Sequence, residues 1–243
     1  MNTANSMKND LRVMTSGAFT AAYLELVPRL ELVTKKKIVT AATSIGTGET
    51  SIPHRLRRGE PVDVVIVADA VLVGFIKEGL IIAESYTPVA RSAIGMAVRT
   101  GARKPDISTV DALRRTLLQA NSIAYSASVS GEYLSNELLQ RLGIADQVLS
   151  KCKRIEGGER VGAVVARGEA EIGFQQISEL LPVPGIDYVT PLPPEVQKVS
   201  VFSSGVARST GDSNAAHAIV KFLASPEAAG AIAKSGLEPV GNR

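Results

Sequence analysis

Tryptophan is absent from this chain, and aromatic residues make up only 4% of it. That scarcity argues against a platform for stacking the bases of single-stranded nucleic acid, and no nucleic-acid partner is expected. The single cysteine, Cys152, excludes an intramolecular disulfide and reads as a buried filler, although Lys151 and Lys153 beside it would favour its thiolate. With only two histidines, His54 and His217, there are too few soft ligands for a structural zinc, and no metal is expected. No apolar run approaches the roughly 18 residues of a membrane span, so no membrane insertion is expected. Residues 1–10 are polar and carry neither the apolar stretch nor the cleavage site of a secretory leader. Taken as written, the chain is expected in the cytoplasm; it is periplasmic if a leader was removed, and Met7 is a possible start. The phosphate-binding glycine fingerprints and the nucleophile elbow are missing too, and no cofactor is expected.

What is present describes a globular chain. It has 243 residues, 45% hydrophobic and 21% charged, enough for one large or two small domains with a core that needs no staples. The net charge of +3 is too small for a nucleic-acid surface but suits attraction of small anions. Strand and helix patterns alternate almost throughout, which points to an α/β fold with largely parallel sheets. Strands are expected at 11–15, 37–42, 62–67, 122–126, 171–174 and 186–189, with two longer ones at 90–100 and 199–208. A helix is expected over 18–33, with Pro28 a possible break, another from Ser51-Ile52-Pro53, and a third capped by Asp69. Further helices are expected over 111–120, from Ser128 to Leu142, from Gly157-Gly158 to Arg167, and twice near the C-terminus.

Four strand-to-helix junctions are rich in small hydroxyl residues and glycine: Thr15-Ser16-Gly17-Ala18, Thr43-Ser44 to Thr50-Ser51, Ser126-Ala-Ser128-Val-Ser130-Gly131, and Gly157-Gly158-Glu-Arg160. A helix N-terminus leaves unpaired N–H groups and partial positive charge; glycine admits a ligand to the backbone, and serine adds a donor. Any one junction is an ordinary helix cap. Four together point to a site for a small anion at the carboxyl ends of the strands.

The segment Pro61-Val-Asp-Val-Val-Ile-Val-Ala-Asp69, closing with Lys77-Glu-Gly79-Leu80, forms one half of a resemblance. The C-terminal Phe222-Leu-Ala-Ser225-Pro226 and Gly236-Leu-Glu-Pro239-Val-Gly241 form the other. Together they resemble the type 2 periplasmic solute-binding proteins of the molybdate-binding kind, over nearly all of residues 11–241. The resemblance implies a two-lobed fold joined by two crossover strands, with 1–90 and 205–243 in one lobe and 91–204 in the other, closing by a hinge. It implies a monomer that binds a small anionic ligand, as the binding component of an ABC uptake system with a permease partner, or as a ligand sensor. The ligand contacts it implies are Ser16, Ser44, Ser51, Ser128, Ser130, Gly131 and Val161, and the chemistry of the same junctions adds Gly17, Arg160 and Gln175 to the expected site. Where that kind carries a tyrosine this chain has Phe174-Gln175-Gln176. These amides, with Arg91, Arg160 and the Arg55, Arg57 and Arg58 cluster, suit an organic carboxylate better than molybdate.

Val89-Ala-Arg91-Ser92, Ile123-Ala-Tyr125-Ser126 and Gln175-Gln-Ile-Ser-Glu-Leu180 are similar to aconitate isomerase, which implies the alternative of a cofactor-independent isomerase of an unsaturated tricarboxylate. A proton shift needs a general base, for which Glu49 and His54 are the expected residues, with Tyr125 a further candidate. His217, in mid-helix, is expected to be structural.

Overall fold

A computed structural model describes residues 10–42, 45 and 48–241. The chain divides into two compact units, residues 1–91 with 201–243, and residues 92–200.

The first unit begins with strand β1 (Leu11–Thr15), the helix Gly17–Thr34 and β2 (Ile38–Ala42). Pro28 does not break that helix. Its missing N–H would have paired with the Leu24 carbonyl, and both residues lie on the exposed face, where water can take the partner's place. The short helix Ile52–Arg57 starts behind the N-cap Ser51 with Pro53 in its first turn. β3 (Val64–Ala68) is buried at every position, as a strand covered on both faces must be. The helix Asp69–Lys77 follows, then β4 (Thr87–Ser92). Asp69 was expected to cap this helix. It is instead the first helical residue, and its carboxylate accepts from Tyr86 Oη at 2.6 Å and Ser203 Oγ at 2.8 Å.

The second unit is built from β5 (Ile94–Arg99), the helix Val110–Gln119, β6 (Ile123–Ser126), β7 (Cys152–Ile155), β8 (Ile172–Gln176) and β9 (Ile186–Pro191). Strands β6, β7 and β8 run parallel, and β5 is antiparallel to β8 and β9, in the order β7-β6-β8-β5-β9. The long strand expected over 90–100 is therefore two. β4 and β5 hydrogen-bond in different sheets, and the ladder breaks at Ala93, whose carbonyl accepts from the Ile177 N–H at 3.0 Å. A helical run spans Val129–Arg141 with a π-type turn over Leu134–Leu138. Leu113, Leu117, Ile123, Leu134, Leu138, Ile172 and Phe174 form the core on one face of this sheet, and Val161, Val164, Val165 and Ile155 that on the other.

The chain then returns through β10 (Ser200–Val206), the helices Ser213–Leu223 and Pro226–Lys234, and β11 (Glu238–Pro239). The first sheet has the order β11-β4-β10-β3-β1-β2; β1 is parallel to β2 and β3, and β10 is antiparallel to β3. Both sheets are thus mixed rather than largely parallel. Asp63 pins the first unit: its two oxygens accept from the Arg12 N–H at 2.7 Å, Thr210 Oγ1 at 2.7 Å and the Gly211 N–H at 3.2 Å.

Candidate functional site

In each unit the parallel strands end at one edge of the sheet, and the polar residues gather there. In the first unit that edge carries Ser16, between β1 and the helix Gly17–Thr34. The Ser16 N–H donates to the Ile66 carbonyl at 2.8 Å, and the Ser16 carbonyl accepts from the Phe19 N–H and from Thr20 Oγ1. The backbone is thereby fixed. Ser16 is 4% exposed, yet its Oγ has no hydrogen-bond partner among the described residues. A buried hydroxyl without a partner costs stability, so its retention needs another reason. It stands at the head of an 18-residue helix beside the N–H of Gly17, where an anion would be favoured. Asp69, Tyr86 and Ser203 lie at the end of the neighbouring parallel strand β3, and the Asp69 carboxylate raises the Tyr86 phenol above its ordinary value.

Ser51 is buried, but its Oγ accepts weakly from the His54 N–H at 3.5 Å as a helix cap. Ser44 lies outside the described residues. Glu49 is exposed in the turn before Ser51. His54 is exposed and lines a depression of about 800 Å³ with Arg57, Arg58, Phe75 and Glu78, a set that does not include Ser16. The arginines of this helix are engaged. Arg55 forms a two-pronged pair with Glu60 and also donates to the Ala41 carbonyl, Arg57 pairs with Glu78 at 2.8 Å, and Arg58 pairs with Glu60 at 3.0 Å. Arg55 above all holds the Glu60 carboxyl down at about 2. Arg91 pairs with Glu238 at 3.4 Å.

The second unit assembles most of the expected residues. Ser126 ends β6, and its Oγ lies 2.7 Å from Ser128 Oγ and 3.3 Å from Ser130 Oγ, with Ser128 and Ser130 3.4 Å apart. Three hydroxyls carry three protons, so this cluster can satisfy itself or turn protons outward to an anion through the half-buried Ser128. Gly131 makes the arrangement possible. A Cβ there would stand 1.7 Å from the Ser126 carbonyl oxygen and 2.7 Å from the Tyr125 ring. Tyr125 itself packs against the core.

At the end of β7, Gly157 and Gly158 adopt φ of 68° and 81°, a left-handed turn that glycine takes without strain. Arg160 then caps the helix Val161–Ala166. Its neighbours are paired, Arg154 with Glu156 at 3.0 Å and Arg167 with Glu159 and Glu169, whereas Arg160 makes no ion pair among the described residues. The Val161 N–H, expected as a ligand donor, is taken: it donates to Gln175 Oε1 at 3.0 Å, in a buried bond. Gln175 is thus an internal brace at the end of β8.

Glu179 and the Asp69 group escaped the reading of the sequence. Glu179 sits in the first turn of the short helix Ile177–Leu180. Burial pushes its carboxyl up to about 7, against the pull of Arg160 and the Gln175 amide. The one available signal was an acid just beyond a strand that ends in two glutamines. Next to it, Gln176 Oε1 and Ser178 Oγ are buried without partners among the described residues. Cys152 is inert by comparison, with its thiol pushed up to about 11 by burial despite Lys151. His217 caps its own helix turn, with Nδ1 2.7 Å from the Ser213 carbonyl. Among the described residues no cluster of His, Cys, Asp or Glu could hold a metal ion, and no helix is long and apolar enough to cross a membrane.

Comparison with known proteins agrees with this architecture. Over 95% of the chain it is 44% identical to aconitate isomerase from Pseudomonas sp., covering 88% of that protein. The periplasmic molybdate-binding protein of Azotobacter vinelandii superposes with a TM-score of 0.72 at 19% identity, over 93% of this chain and 98% of that one. The sulfate-binding protein of Mycobacterium tuberculosis does so with a TM-score of 0.74 at 15% identity, over 96% and 88%. The fold is therefore the two-lobed α/β fold of periplasmic binding proteins. The model of the bacterial extracellular solute-binding proteins matches residues 11–238, and this chain belongs to that family.

Proposed function

We propose that this protein binds an unsaturated tricarboxylate and isomerises it without a cofactor, with aconitate as the substrate. The observation that carries the reading is the 44% identity to aconitate isomerase along 95% of the chain. The chemistry of the second unit supports it. Hydroxyls at Ser126, Ser128 and Ser130 offer donors without formal charge, and Arg160, which has no ion pair among the described residues, suits a carboxylate in two-pronged fashion. Each unit offers proposed ligand contacts of its own, Ser16 and Gly17 in the first and Ser128, Ser130, Gly131 and Arg160 in the second.

Isomerisation by proton shift asks for three things: carboxylate anchors, a base, and positive charge where the anion develops. The same site could instead hold its anion unchanged for delivery to an ABC permease, a reading that membership of the solute-binding family favours. The two are separated by mixing purified protein with trans-aconitate and following the proton NMR spectrum. Appearance of the cis isomer at a rate proportional to protein concentration is the expected result. Calorimetric binding with no conversion would leave a binding protein and refute the isomerase.

A further inference from the structure

On the reading of this protein as an isomerase, we propose that Glu179 is the catalytic base that carries the proton between the two carbons of the substrate. The placement comes first. Glu179 follows β8, whose end lies at the same sheet edge as the hydroxyl cluster closing β6, because β6 and β8 are parallel. At the end of β8 the Val161 N–H holds Gln175 Oε1 at 3.0 Å, and the Gln175 amide and Arg160 favour the charged Glu179 carboxyl without an ion pair among the described residues. The partner of a carboxylate matters chemically. Glu60 and Glu169 are hydrogen-bonded to arginine and held down to about 2, which leaves them poor bases at neutral pH. Glu179 has no ion pair among the described residues, and its burial gives the basicity that proton abstraction at neutral pH needs.

The helix Ile177–Leu180 packs against β5, β8, β9 and the helix Val161–Ala166. The charged or titratable groups on or next to those elements are Arg99, Glu171, Asp187, Tyr188, Arg160 and Arg167, of which Glu171 accepts from the backbone and side-chain nitrogens of Asn121. Arg167 is committed to Glu159 and Glu169, and Asp187 to Thr100 and the Gly101 N–H. Arg160 is the one whose charge reaches the Glu179 carboxyl, so the base and a cation for the developing anion occur together. Glu49 and His54, by contrast, are exposed residues of the first unit.

The step balances without a co-reactant. The Glu179 carboxylate takes a proton from the substrate methylene. The C–H bond breaks, and its electron pair spreads over the three-carbon allylic system and the adjoining carboxylate, opposite Arg160. The Glu179 O–H then returns the proton to the other end of the allylic system, the double bond moves by one position, and the carboxylate is regenerated.

The experiment compares wild type, Glu179→Gln and Glu179→Asp in D2O with trans-aconitate. It follows isomerisation and methylene deuteration by NMR, and affinity by calorimetry. Glu179→Gln is expected to lose about 100-fold or more in both turnover and exchange, as removal of a general base does, while affinity stays within about threefold, since the amide keeps the size and most hydrogen bonds of the acid. The acidic limb of the wild-type kcat/KM profile, near neutral pH, should vanish from the residual activity. Glu179→Asp, which retains an acid one methylene further back, should recover part of the rate, and it decides the matter if the glutamine variant fails to fold. If wild type isomerises and these variants match it in rate and pH limb, Glu179 is not the base and the isomerase reading stands. If wild type binds aconitate yet neither converts nor deuterates it, the isomerase reading falls and takes this role with it.

Discussion

The Glu179 carboxyl also predicts a stability effect that needs no substrate. Folded, it titrates at about 7 against an ordinary 4.5, because burial disfavours the charged form more than Arg160 and Gln175 favour it. Each pH unit of that difference corresponds to about 1.4 kcal/mol, so the folded protein is weakened by about 3 kcal/mol once the pH exceeds both values. The sign follows from proton binding. Between pH 4.5 and 7 the unfolded chain has released this proton while the folded chain keeps it, so stability is full below 4.5 and declines toward 7. Glu179→Gln removes the titration and keeps the shape. It should leave stability near pH 4.5 little changed and raise it by about 3 kcal/mol at pH 8, roughly 6–12 °C in Tm for a chain of this size. Thermal melts of both proteins from pH 4.5 to 8.5, watched by circular dichroism, measure the gap directly. A gap that stays constant across that range would refute the raised carboxyl and the burial argument behind it. A gain in stability on loss of a functional group is what a site held under electrostatic strain should show.

Two further outcomes test the remaining geometry. Ser16→Ala removes a buried hydroxyl that has no partner among the described residues, so the unliganded protein should melt at the same temperature or slightly higher. Its calorimetric affinity for aconitate should fall by about 1–3 kcal/mol, and an unchanged affinity would take Ser16 out of the site. Gly131→Ala places a methyl group 1.7 Å from the Ser126 carbonyl oxygen, so the backbone of the hydroxyl cluster must move. A loss of about 2 kcal/mol or more in denaturant stability is expected, the cost of overpacking a rigid site, and a wild-type midpoint would show that the close approach is not real.

Local patterns were enough to read the elements whose causes lie close in sequence. Within the strand expected over 62–67, the residues after Asp63 announced a strand buried on both faces because no polar residue interrupts Val64–Val67, and β3 is buried throughout. Ser51-Ile52-Pro53 announced a helix start, since a hydroxyl cap and a proline in the first turn act within three residues. The strand-to-helix junctions at Ser16-Gly17 and at Ser126–Gly131 were legible for the same reason. What the sequence could not settle were bonds between distant partners. Asp69 has the chemistry of a helix cap, but Tyr86, 17 residues on, and Ser203, 134 residues on, took its carboxylate once the strands were paired. Gln175 looked like a ligand donor until the fold set the Val161 N–H, 14 residues away, against it. Glu179 is an ordinary acid in the sequence. Only the packing of its helix on β5, β8, β9 and the helix of Val161 surrounds the partly exposed carboxyl with protein and thins its water, and desolvation is a property of the surroundings rather than of the residue.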